Sequence, residues 1–176
     1  MLFFNSLIFS LCACGEKGSE NAAIYGETVG GLEDNELFAI IDTNASLPVL
    51  LVTSQVYNDG LGNQAALNCD VYYLIDKEVK NIGTIESMGT AYPIAYDETG
   101  IYAASGHDMQ RFEIEKSGSL RLAEGIYEQF DESGNAAYTM KKGEETDVIT
   151  EEEYYALAKE IAETYTYYPH PMYDLL

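Results

Sequence analysis

Two apolar runs, Leu37–Ile41 and Val49–Val52, face each other across a seven-residue joint, Asp42-Thr43-Asn44-Ala45-Ser46-Leu47-Pro48. Each run is too short for a helix, is rich in Ile, Leu and Val, and is bounded by Asn, Ser or Pro, so both predict buried strands. Strands that follow one another across a short polar joint pair antiparallel. The joint therefore sets the register of whatever sheet the chain builds.

The next hundred residues repeat the theme. From Ala65 to Asp76 the chain alternates, with Cys69, Val71, Tyr73 and Ile75 on one face and Asp70, Tyr72 and Asp76 on the other. Lys77-Glu78 predicts a hairpin turn into Val79–Glu86. Tyr92–Tyr96, Ile101–Ser105, Met109–Glu115, Leu120–Ala123 and Ile126–Phe130 follow, separated by Asp, Gly, Ser and Thr. Met109–Glu115 places Phe112 and Ile114 inward and Arg111, Glu113 and Glu115 outward. Tyr138–Met140 and Thr146–Ile149 predict one more hairpin. The expected fold is mainly β: an antiparallel meander of roughly seven to nine strands. A curled sheet, a sandwich and a partial barrel all fit. The groups 37–86 and 92–130 each suggest four strands and look like propeller blades, although two blades cannot close a ring. One C-terminal helix is expected over 151–164: Thr150-Glu151-Glu152-Glu153 is a capping box, and Tyr154, Leu157, Ala158 and Ile161 recur at helical spacing. The globular domain is thus placed at 36–164, with an irregular tail over 165–176 in which His170 sits between two prolines.

The N-terminus carries a different message. Met1–Leu11 is apolar but too short to span a bilayer, and the chain turns polar at Gly15. Leu11-Cys12-Ala13-Cys14 resembles the lipobox of bacterial lipoproteins, with Cys12 unusual at its position and no basic residue at the start. The resemblance implies a signal peptide over 1–13, cleavage after Ala13, and a diacylated Cys14 that attaches the protein to the extracytoplasmic face of the cell membrane. Two acyl chains, at about 0.8 kcal/mol per buried methylene, suffice for stable anchoring. Residues 14–35, rich in Gly and Glu, are expected to form a flexible tether.

Thirty Asp and Glu against nine Lys and Arg give a formal charge of −21. Such a field repels phosphate backbones and anionic headgroups, so nucleic acid is excluded as a partner of the body. With Cys12 and Cys14 assigned to the processed end, Cys69 has no partner for an internal disulfide and is expected to be a buried thiol. Asp42, Asn44 and Ser46 sit at alternate positions like the start of a calcium loop, but Leu47 stands where Gly is needed and Thr53 where a bidentate acid is needed. They are candidate metal ligands; the bland alternative is a turn held by Asx-type hydrogen bonds. Ser105-Gly106-His107-Asp108 is where a hydroxyl, an imidazole and an acid crowd together, making His107 and Asp108 the candidate catalytic residues. No metalloprotease, P-loop or nucleophile-elbow motif occurs.

The pattern of a short strand, Asp-x-Asn-x-x-x-Pro and an aliphatic strand is similar to a feature of uncharacterised lipoproteins of Gram-positive, largely clostridial bacteria. The tyrosine-rich stretch that begins Val71-Tyr72-Tyr73-Leu74 and the segment Thr150–Glu160 carry the same resemblance. It implies a β-rich body with no attached activity. The expected function is a lipid-anchored, non-catalytic binding or surface-interaction module for an extracellular or cell-surface ligand. The alternative is a small extracytoplasmic hydrolase using His107 and nearby carboxylates.

Overall fold

The computed structural model describes residues 17–58 and 64–167. A mainly-β domain is built from antiparallel sheets of four, two and six strands, with no closed barrel. The four-stranded sheet contains β1 (Leu37–Ile41), β2 (Val49–Thr53), β5 (Asn68–Ile75) and β6 (Glu78–Glu86) in that order. Between β2 and β5 the chain makes a small hairpin of β3 (Val56–Asn58) and β4 (Gln64–Ala66). The six-stranded sheet is a strict meander: β7 (Ala95–Asp97), β8 (Gly100–Ala104), β9 (Asp108–Ile114), β10 (Leu120–Phe130), β11 (Ala136–Lys142) and β12 (Glu145–Ile149). The C-terminal hairpin thus extends the second strand group instead of standing apart. Twelve strands are described, more than the sequence suggested, because short pairs such as β3–β4 carry little periodicity.

Of the forms left open by the sequence (curled sheet, sandwich, partial barrel), the structure has two sheets packed on one core. Ala39, Ile41, Val49, Leu51 and Val71 of the first sheet share one core with Ile101, Ala103 and Ile114 of the second. Every residue of β2 is buried. Its odd and even side chains serve opposite faces, which is why Val49–Val52 reads as an unbroken apolar run. The far face, carrying Leu50 and Val52, is covered by α1 (Lys17–Gly30).

That helix corrects the expected flexible tether over 14–35. Tyr25 is fully buried, its hydroxyl donates to Pro48 C=O at 2.6 Å, and Ile24, Val29 and Leu32 pack on the same cluster. Gly and Glu mask the apolar spacing of Ile24, Tyr25, Val29 and Leu32 in the sequence, and the uncovered far side of β2 supplies the docking surface. The signal segment, Cys12 and Cys14 lie outside the described residues, as does His170.

Other expectations shift by a residue or two. The β5–β6 turn sits at Asp76-Lys77, both with positive φ (51° and 71°), the left-handed pair that suits a two-residue hairpin. Of the Tyr92–Tyr96 segment only Ala95 and Tyr96 are strand, in a β7 that runs on to Asp97; Ile94 N–H, after Pro93, bonds Ala66 C=O instead. The C-terminal helix α2 (Glu151–Tyr167) runs past 164 and begins with the expected box: Glu153 Oε2 accepts from Thr150 N–H and hydroxyl, both at 2.8 Å, and Glu153 N–H donates to Thr150 Oγ1. Tyr154 seats it on the sheet at 5 % exposure. Among the described residues no helix is long and apolar enough to cross a membrane.

Candidate functional site

The joint after β1 holds the candidate metal ligands, and its geometry gives them other partners. Glu115 N–H donates to Ser119 C=O, so in the alternating antiparallel ladder Ile114 turns its own N–H and C=O away from β10. On that side β8 has already ended. The Asn44 amide fills the gap: Nδ2 donates to Ile114 C=O at 3.2 Å and Oδ1 accepts from Ile114 N–H at 3.4 Å. Asn44 thereby acts as one residue of a missing strand, linking the two sheets over a separation of 70 positions. Ser46 Oγ lies 3.2 Å from the Tyr73 hydroxyl, and Asp42 is exposed. Among the described residues no three His, Cys, Asp or Glu side chains converge as a metal site would require.

The segment from Ser105 to Asp108 is the turn between β8 and β9. Ser105 Oγ donates to Asp108 Oδ2 at 2.5 Å and accepts His107 N–H at 3.1 Å. The imidazole points elsewhere, with Nδ1 2.8 Å from Glu128 Oε2 and the ring edge-on to Phe130 at 5.4 Å. The His107 side chain is 62 % exposed and that of Glu128 11 %. His107 and Asp108 are therefore neighbours in sequence with separate tasks: Asp108 is tied to the hydroxyl and His107 to a different acid.

Glu128 is the site residue that sequence reasoning missed. Simple alternation along β10 would place it with Leu120 and Leu122. A bulge between Leu122 and Glu124 breaks the alternation, since Leu122 is opposite Phe112 but Glu124 is opposite Arg111. Beyond it, Glu124, Ile126 and Glu128 turn to the α2 side. There Glu128 is opposite Tyr138, whose hydroxyl bonds its carboxylate. Tyr138, Tyr154 and Tyr155 pack as a trio with centroids 5.1, 5.4 and 6.4 Å apart. Burial, reinforced by the Glu128 carboxylate, pushes the Tyr154 hydroxyl up to about 12. Phe130 and Tyr155 are each 54 % exposed.

The other half of the same face is a ladder of ion pairs. Arg111 contacts Glu113 and lies 3.8 Å from Glu124; Arg121 reaches Glu113 at 3.4 Å, and Lys142 reaches Glu124 at 3.5 Å. A cleft of about 180 Å³ opens between Leu157 and Ile161 of α2 and Tyr102, Arg111, Glu124 and Ile126. It is smaller than the few hundred Å³ of ordinary ligand pockets, and it does not contain His107. Cys69 is a buried free thiol, as expected, and burial beside Asp70 pushes it up to about 12, away from nucleophilic use. No family model matches the chain, and no curated protein or solved structure shows significant similarity to it.

Proposed function

We propose that this protein is a lipid-anchored extracytoplasmic lipoprotein whose β body is a non-catalytic binding or surface-interaction module. The observation that carries the non-catalytic part is the division of the Ser105–Asp108 turn. Nucleophilic catalysis needs a hydroxyl whose proton passes to the imidazole. Here the Ser105 proton is directed at Asp108, and the His107 ring is turned to Glu128. The anchor is supported by Leu11-Cys12-Ala13-Cys14 and by the abrupt change to polar sequence after it.

Mass spectrometry of the protein isolated from a Gram-positive host tests the anchor. Acyl chains on Cys14, lost in Cys14→Ser with release into the medium, are expected; an unmodified Met1 terminus in the cytosol refutes it.

A second reading is favoured by one contact. The 2.8 Å His107–Glu128 pair has the form in which a carboxylate orients a general base. Purified protein and His107→Ala should be screened on ester, glycoside and peptide substrates. Turnover that disappears in the variant would establish the hydrolase and remove the binding module.

A further inference from the structure

A lipid on Cys14 would be joined to the folded body by very little chain. Gly15 and Glu16 alone separate Cys14 from Lys17, the first residue of α1. Three residue steps reach at most about 10 Å. From Lys17 to Tyr25 the helix adds about 12 Å, at about 1.5 Å per residue. The same eleven steps in extended chain would reach about 40 Å. The helix is also fixed in direction: Tyr25 is fully buried and bonded to Pro48 C=O, and Ile24, Val29 and Leu32 pack on the outer face of β2.

The direction is set by which ends of the strands α1 meets. Tyr25 reaches the sheet at Pro48, and the segment that leaves α1 arrives at Leu37, opposite Thr53. Followed backwards, α1 therefore leads toward the Pro48 end. The Asp76-Lys77 turn lies at that end, since Leu50 is opposite Tyr72 and β5 runs on to Ile75. Gly118 stands against Ile75, and Asn44 reaches Ile114, so the 115–119 turn of the other sheet is there too. The 97–100 turn joins them, because Ile101 is opposite Phe112. At the Thr53 end Met88 N–H donates to Ala104 C=O, which places the Ser105–Asp108 turn at the opposite end of the body.

Charge separates the same two ends. At the Thr53 end, residues 54–55, 86–94, 105–108, 128–136 and 149–153 carry eight carboxylates and no Lys or Arg. At the Pro48 end, residues 42–48, 76–80, 97–100 and 115–119 carry six carboxylates and three Lys. Anionic headgroups repel the first end more strongly than the second. The Pro48 end is still net negative, so the chain connection brings it to the bilayer and the charge only turns the other end away.

We infer that α1 holds the end of the body formed by the 42–48 joint and the 76–77 and 115–119 turns against the bilayer, with the Ser105–Asp108 turn facing away from it. The inference rests on the lipid-anchored reading and adds an orientation to it: the body sits at the headgroups with one end down, not on a stalk.

Energy transfer to headgroup-labelled acceptors tests the orientation. Full-length protein from a Gram-positive host, bearing a fluorophore on Lys116→Cys or on Gln55→Cys, is added to preformed phosphatidylcholine/phosphatidylglycerol vesicles. Both positions are exposed, while Cys69 is buried and stays unlabelled. Circular dichroism verifies that each labelled variant is folded. Transfer from Lys116→Cys is expected to exceed that from Gln55→Cys by at least about twofold, for ends about 23 Å apart along β2. Twenty Gly/Ser residues inserted between Gly15 and Glu16, with an r.m.s. length of about 25 Å, should lower both efficiencies and bring them together.

Equal transfer from the two positions of acylated protein, or greater transfer from Gln55→Cys, overturns the inference. A difference that survives the inserted linker overturns it as well, because lipid contact and not α1 would then set the orientation. Mass spectrometry of the same samples separates the two levels. An unacylated Cys14 removes the anchor and the orientation together, whereas acylated protein without the predicted asymmetry removes the orientation alone.

Discussion

Replacing Asn44 by Ala removes both hydrogen bonds that close the edge of β9 at Ile114. A net intramolecular hydrogen bond contributes about 0.5–1.5 kcal/mol, and more when its loss leaves a buried group unsatisfied. The Ile114 residue is 4 % exposed, but Asn44 stands at the surface, so water can replace part of what the amide provided. We therefore expect a loss of about 1–2 kcal/mol. In a chain of this length that lowers the melting temperature by about 2–8 °C. Asn44→Asp should be at least as damaging at pH 7, since a carboxylate accepts from Ile114 N–H but sets its second oxygen against Ile114 C=O. Asp42→Ala, at an exposed position, should stay within about 0.5 kcal/mol of wild type. Thermal unfolding by circular dichroism checks the series, and hydrogen exchange at Ile114 should quicken in Asn44→Ala. Calcium at millimolar concentration should leave the wild-type midpoint unchanged if the amide serves Ile114. An unchanged Asn44→Ala midpoint would refute the strand-mimic argument, and a calcium-dependent wild-type midpoint abolished by Asn44→Ala would replace it with a metal site.

Three further outcomes are expected. Gly118 has φ of +86° and a Cβ there would lie 2.6 Å from Ile75 in the opposite sheet, so Gly118→Ala should cost about 2–4 kcal/mol in chemical denaturation, combining left-handed strain with overpacking. Thr150→Ala should cost about 1 kcal/mol and fray the start of α2, read by exchange at Glu153 N–H. Burial raises the ionisations of Cys69, Tyr25 and Tyr154 to about 12, so the fold favours their neutral forms. The resulting stability is whole below the ordinary values, about 9 for the thiol and 10 for the phenols, and is lost as pH rises toward 12. Denaturation midpoints measured from pH 8 to 12 should fall across that window, with a shallower slope in Tyr25→Phe; a flat profile would contradict the burial of these groups.

The ion-pair ladder and the sheet core divide the work of the six-stranded sheet. Ile101, Ala103 and Ile114 hold the half that faces the other sheet. Arg111 and its partners lie about three-quarters buried in the opposite face. Pairs of this kind contribute little singly but fix register, because a one-residue slip of β9 against β10 would set Arg111 beside Gly125 and leave Glu124 with Lys142 alone.

Local order was legible in the residues themselves. Strand alternation at Cys69–Ile75 and Met109–Ile114, the capping box at Thr150–Glu153 and the inward Tyr154 follow from periodicity and from side chains that satisfy their own backbone within a few positions. What depends on contacts between distant segments was not legible. The helix over Lys17–Gly30 is stabilised by the outer face of β2, which the helix sequence does not mention. The bulge beside Ala123 reverses the faces of β10 and so brings Glu128 to His107, a pairing across 21 positions. Above all, Asp42–Pro48 could be recognised as the joint that organises the sheets, but its chemistry belonged to the tertiary structure. Asn44 acts on a strand edge 70 residues away, and an open strand edge exists only once the sheets have assembled.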